Sequence, residues 1–210
     1  MKILLHPTYF PNINTFGLLA RYPCIWETAD NYQKQTYRNR CYICNDQGKH
    51  MLNIPIVHVG GATGRQKYRD VKLDNSYQWQ RQHWRTLQTA YRTSPFFEYY
   101  EDDLAPLYHD RFSYLLDFNM ATIARMCECL QMEMPTEQSL KYEAQPEGVW
   151  DGRFLVDAKS EPLPFNMQYH QVFGERHGFV PNLSILDLLF NTGTTAYTEI
   201  MQMDTPFLDG

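Results

Sequence analysis

From Arg111 to Met132 the apolar side chains Phe112, Leu115, Leu116, Ile123, Met126, Cys127 and Leu130 return on one stripe of a helical period. An amphipathic helix of this length buries its stripe only against other elements, so this segment is predicted to lie at the centre of the fold. The remaining chain can cover it, because hydrophobic residues make up 43% and aromatic residues 15% of the sequence, well above the composition of disordered chains. A length of 210 residues suits one domain over residues 1–210.

The elements around that helix are of mixed type. Ile3-Leu4-Leu5 ends at His6-Pro7 and is followed by a helical stretch from Thr15 to Arg21, a strand–turn–helix unit. Arg40 to Asp46 and Met51 to Val59 flank Gln47-Gly48, a hairpin signal, and Tyr68 to Leu73 reads as a third antiparallel strand. Between Ser76 and Tyr91, Tyr77, Trp84, Leu87 and Tyr91 form a packing stripe, with Arg81, Arg85 and Arg92 on another. Pro135 to Pro164 reads as loops with brief strands around Leu140 to Tyr142 and Arg153 to Val156. Ser184 to Asn191 is a short helix with Ser184 as N-cap, Asp187 in its first turn and Gly193 beyond its end. The predicted fold class is α/β or mixed α+β, with a central mixed sheet, an antiparallel hairpin and packed helices.

Charge is segregated. Lys34 to Arg92 holds 11 basic residues against Asp46, Asp70 and Asp74, a net +8, while the rest holds 8 basic against 21 acidic residues, a net −13. A basic segment within an acidic chain attracts anions that the net charge would repel. A pI near 5.8 and a single basic segment argue against dedicated nucleic-acid binding and favour a small anionic ligand. No apolar run reaches the roughly 18 residues of a membrane span and the start lacks a secretory leader, so a cytoplasmic protein is expected.

Five cysteines suit a reducing compartment. Cys41 and Cys44, three apart on a strand, point to opposite faces, and Cys127 and Cys129 lie about 200° apart on a helix, so neither pair converges on a metal without a loop and the cysteines are expected to be buried small hydrophobes. The phosphate loop, the dinucleotide fingerprint, the nucleophile elbow and the zinc-protease motif are all absent, so no cofactor is assigned. Gly60 to Gly64, followed by Arg65 and Lys67, is read as a hairpin connection in preference to a phosphate cradle.

His6 sits where a strand ends, a position from which an imidazole can enter a cleft as general acid or base; a structural histidine is equally compatible with that place. Gln35, Arg38, Asn39 and Arg40 offer amide and guanidinium donors for a carboxylate or phosphate, or else form an exposed charge cluster. Arg81, His83 and Arg85 lie among Trp79 and Trp84, a mixture of basic and aromatic groups, although Trp84 belongs to the packing stripe. Asp187 is better explained as a helix-start residue than as a catalytic carboxylate.

Three segments carry a resemblance to the WbqC-like family of bacterial proteins: His6-Pro7-Thr8-Tyr9-Phe10-Pro11, Asn31 to Cys41, and Asn182 to Asn191. Trp79-Gln80-x-x-His83-Trp84-Arg85 and Tyr91-Arg92-x-Ser94-Pro95-Phe96-Phe97 also fit. The chain departs from the commoner pattern at His6-Pro7, where members often have His-Gln-Pro, and at Trp26-Glu27-Thr28, where many have an acidic pair. The resemblance implies a cytoplasmic bacterial transferase of surface polysaccharide synthesis that acts on an activated sugar. The opening also resembles the strand–turn–helix of nucleotidyltransferases through His6, Pro11 and Gly17, with Leu18 where that motif has its second histidine.

The expected function is therefore a transferase acting on an anionic activated donor such as a nucleotide sugar, with His6 as the proton-transfer group. Tyr9, Gln35, Arg38, Asn39, Arg40, Arg81, His83 and Arg85 are the candidate substrate contacts. The alternative is a non-catalytic protein that binds an anionic ligand or partner through the same residues.

Overall fold

The computed structural model describes residues 1–57, 66–160, 163–205 and 208. Its sheet is small and parallel: β1 (Ile3–Leu5) lies between β2 (Cys24–Trp26) and β5 (Trp150–Asp151), with Leu5 opposite Trp26 and Leu4 opposite Asp151. The crossover from β1 to β2 is α1 (Ile13–Arg21), capped by Asn12, whose side chain accepts from the Thr15 amide. β5 comes close to β1 because Gly152 follows it; a Cβ there would overlap the Trp150 ring and Leu5.

The hairpin of β3 (Arg40–Asn45) and β4 (Gly48–Asn53) is a second, antiparallel sheet, turned through Gly48 at a φ of 99°. The fold is thus mixed α+β, as predicted, but with hairpin and parallel sheet as separate layers. The predicted third strand is instead a 3-10 turn, Tyr68–Asp70, followed by single bridges from Leu73 to Ile56 and from Lys72 to Tyr114. The end of the predicted second hairpin strand and the Gly60 to Gly64 loop lie outside the described residues.

Helices α2 (Trp79–Tyr91), α3 (Phe97–His109) and α4 (Leu115–Cys129) pack in sequence. α4 begins later than its periodicity suggests, because the backbone of Ser113 and Leu115 is bonded to Leu73 and Val71, which holds that stretch extended. It buries Leu115, Phe118, Ile123 and Met126 as expected of the central helix. The short α5 (Gly174–His177), α6 (Ile185–Thr192) and α7 (Ala196–Gln202) complete the chain. α6 has Ser184 as N-cap and Gly193 as C-cap at a φ of 58°, as its sequence predicts. One apolar cluster runs from Ile3 to Met203.

Candidate functional site

All three parallel strands release a charged or titratable residue at their carboxyl ends: His6 after β1, Glu27 after β2 and Asp151 as the last residue of β5. That edge is where ligands bind in open parallel sheets, because side chains diverge there without competing for ladder hydrogen bonds. Two arginines gather the carboxylates. Arg153 grips Asp151 with two hydrogen bonds, from Nε at 2.8 Å and from Nη2 at 2.7 Å, and approaches Oε2 of the buried Glu27 at 3.5 Å. Glu27 Oε1 also accepts from the Ala29 amide and the Ser139 hydroxyl.

Arg38 is 0% exposed. Its Nη2 lies 2.8 Å from Nε2 and 3.2 Å from Nδ1 of His6 and donates to Oδ2 of Asp30 at 3.2 Å. Nδ1 of His6 faces the Glu27 carbonyl at 3.2 Å, and Nε2 lies 3.3 Å from Oδ2 of Asp30, so the ring is held between the end of β2 and the Asp30 carboxylate. Burial lowers the pKa of His6; the hydrogen bond to Asp30 opposes this and the Arg38 charge adds to it, so the ring is neutral at pH 7. Burial would raise Asp30, but its hydrogen bonds with His6 and the Asn31 amide, together with the charge of Arg38, hold the carboxyl below its usual range. The Arg38 guanidinium lies 5.2 Å over the Tyr68 ring. Tyr68 donates to the Pro7 carbonyl, and Asn119 from α4 donates to both the Tyr68 hydroxyl and the Arg38 carbonyl, which fixes the group from behind. The Nε and Nη1 of Arg38 have no partner among the described residues.

Tyr32 connects this centre to a cleft. Its ring packs 6.5 Å from that of Tyr68, and it lines a cavity of about 430 Å³ together with Lys34, Gln35, Asn39, Arg40 and Tyr77. Asn39 is clamped by its amide, which donates to the Ile54 carbonyl at 3.0 Å and to Asn53 Oδ1 at 3.2 Å. Gln35 holds a left-handed backbone at a φ of 63°, unusual for a residue with a Cβ. A cleft with these cations, amides and phenols can hold a small polar anion.

The sequence pattern of the WbqC-like protein family matches residues 6–157, a stretch that begins at His6 and takes in Glu27, Asp30, Arg38, Asp151 and Arg153. The chain belongs to the WbqC-like family. It is similar to the uncharacterised protein Rv1507c of Mycobacterium tuberculosis, at 30% identity over 79% of this chain and 81% of that protein. No solved structure matches. The WbqC-like segment stops short of a buried carboxylate, Asp187, which accepts from the hydroxyls of Tyr91 and Tyr169 at 2.6 Å each and from Gln171 at 3.0 Å.

The candidate residues are thus divided. His6 and Arg38 meet at the sheet edge; Gln35, Asn39 and Arg40 line the cleft beside Tyr32. Tyr9 and His83 are buried together, with the Tyr9 hydroxyl 2.9 Å from His83 Nδ1 and 3.0 Å from the Tyr108 hydroxyl, and burial drops His83 to about 4. Arg81 is exposed and touches Gln78, while Arg85 lines a different groove with His50 and Phe173. Gly17 sits within α1 against Met203, away from the helix start where a triphosphate motif would need it. Sequence reasoning missed Asp30 and Arg153. Glu27 follows the apolar Cys24-Ile25-Trp26 as His6 follows Ile3-Leu4-Leu5, and that shared strand-end position was the available signal.

The cysteines are buried or half-buried, with burial pushing the thiols of Cys44 up to about 11 and of Cys127 and Cys129 up to about 12. Among the described residues, no group of His, Cys, Asp and Glu gathers to hold a metal ion, and no helix is long and apolar enough to cross a membrane.

Proposed function

We propose that the protein is a cytoplasmic transferase acting on an anionic activated donor, of the nucleotide-sugar kind, in bacterial surface polysaccharide synthesis. The observation that carries this reading is the contact of a neutral His6 with Arg38 and Asp30 at the carboxyl edge of the parallel sheet. In the transfer, the unprotonated nitrogen of His6 exchanges its contact with Arg38 for the acceptor and takes the acceptor's O–H or N–H proton. Its lone pair bonds to the transferred group as that group's bond to the donor phosphate breaks. The bonding pair leaves on the phosphate oxygen, whose charge Lys34 and Arg40 offset. Burial, with the Arg38 charge adding to it, keeps His6 unprotonated, and Asp30 stabilises the imidazolium once formed.

A thermal-shift screen of nucleotides, nucleotide sugars, acyl carriers and simple phosphates identifies the donor, because a ligand of the native state raises the melting temperature. With that donor, His6→Gln is expected to lower kcat by about 100-fold or more at little change in KM, the size of lost general-base catalysis. Arg40→Gln is expected to raise KM. Undiminished turnover in His6→Gln would remove the mechanism.

A second reading is favoured by one observation: the His6 side chain is only 3% exposed. A binding protein without chemistry needs no access to Nε2. It predicts ligand binding without turnover in the wild type, and unchanged affinity in His6→Gln.

A further inference from the structure

We infer that the ligand of the cleft between Lys34, Arg40 and Tyr77 is a nucleoside diphosphate. This rests on the donor-binding part of the proposed function and names the donor's carrier.

The cleft is not a bare anion site. Lys34 and Arg40 supply its positive charge, and Arg40 Nε has no partner among the described residues. Those two cations suffice for a phosphate. The other walls have no use for one. Ile54, Pro55 and Ile56 form an apolar wall, and the Tyr32 and Tyr77 rings flank the same space. Tyr77 is 64% exposed, so its ring stands free to stack on a flat apolar group. A sugar phosphate or free pyrophosphate has no such face.

Hydrogen-bond acceptors complete the match. Asn39 commits its amide to Asn53 and Ile54, which fixes its orientation and leaves Oδ1 without a donor among the described residues. Asp74 accepts from Ser76 on Oδ1 only. Phosphate oxygens bring no donors to either group, whereas ribose hydroxyls and base N–H groups do. Gln35, held in its left-handed turn, adds an exposed amide to the lining. Cations, acceptors and a stacking face within about 430 Å³ together describe a nucleotide.

The test is calorimetric titration of the full chain with UDP, CDP, GDP, ADP and dTDP, beside pyrophosphate and ribose 5-phosphate. At least one nucleoside diphosphate is expected to bind about tenfold or more tightly than pyrophosphate, the equivalent of roughly one stacking contact. Tyr77→Ala, an exposed and fold-neutral change, should weaken the nucleotide about tenfold and leave pyrophosphate unchanged. Arg40→Gln should weaken both, and Arg85→Gln neither. Equal affinity for pyrophosphate, indifference to Tyr77→Ala, or no heat from any nucleotide would overturn the inference. Nucleotide binding without transfer would leave the site standing and remove the transferase reading; transfer from a donor lacking a nucleotide would do the reverse.

Discussion

Nη2 of Arg38 lies 2.8 Å from Nε2 and 3.2 Å from Nδ1 of His6, which sets a positive charge against the imidazole and disfavours its protonation. The contact adds to the burial that keeps the ring neutral, and Nδ1 of the same ring faces the carbonyl of Glu27 at the end of the neighbouring strand. It also fixes a dependence on pH. A histidine whose folded pKa lies below its unfolded value of about 6.5 binds fewer protons in the fold. Its contribution to stability is fully present above pH 6.5 and is lost as pH falls through the folded value.

His83 follows the same sign over a window from 6.5 down to about 4, so its contribution should fall by about 2 kcal/mol between pH 6.5 and 5. Urea midpoints measured across that range should decline in the wild type and decline less in His83→Gln. The range lies above the unfolded pKa of ordinary carboxyls, and comparison with the variant isolates the histidine from Asp187, whose buried carboxyl is raised and acts with the opposite sign. Equal slopes for wild type and variant would remove this role from His83.

The Asp187 network is expected to be a structural pin. Removing the carboxylate leaves the hydroxyls of Tyr91 and Tyr169 and the Gln171 amide without their acceptor. Asp187→Ala should therefore cost about 3 kcal/mol, and Tyr91→Phe or Tyr169→Phe about 1 kcal/mol each. Denaturant unfolding measures all three; a loss below about 0.5 kcal/mol in Asp187→Ala would mean that the network carries no stability.

Much of this was legible in the chain. The Ser184 cap, the Gly193 stop and the stripe of α4 are local signals; the cap and stop appear where the sequence puts them, and the stripe is kept from Leu115 to Cys127. Tyr9 and His83 read as ligand contacts only because aromatic and polar residues look alike in sequence, whether a neighbour covers them or not; Tyr108, 99 residues from Tyr9, covers them here. The Asp151–Arg153 pair was hidden for another reason. A two-residue strand leaves no periodicity to read, and Trp150–Asp151 becomes a strand only by pairing with Ile3 and Leu4 across most of the chain.

Arg38 and Asp30 should be energetically coupled. Arg38 is wholly buried and Asp30 nearly so, and loss of either leaves the other charge without its nearest partner. A double-mutant cycle of Arg38→Met and Asp30→Asn is expected to give a coupling of about 1–3 kcal/mol in unfolding free energy. A cycle that closes to zero would show that the two groups contribute independently.

Gln35 offers the reverse case, a substitution expected to stabilise. At a φ of 63° its Cβ crowds the neighbouring carbonyl, a cost of about 1 kcal/mol that glycine does not bear. Glycine gives back part of that through the greater freedom of its unfolded chain, so Gln35→Gly should raise stability by about 0.5 kcal/mol. The same change deletes the amide from the cleft that Lys34 and Arg40 line, and affinity for the cleft's ligand should fall while the melting temperature rises. A turn kept only for the path of the chain would show the rise alone. A residue kept in strain for the ligand shows both, and paired melting and titration curves on the one variant separate the two.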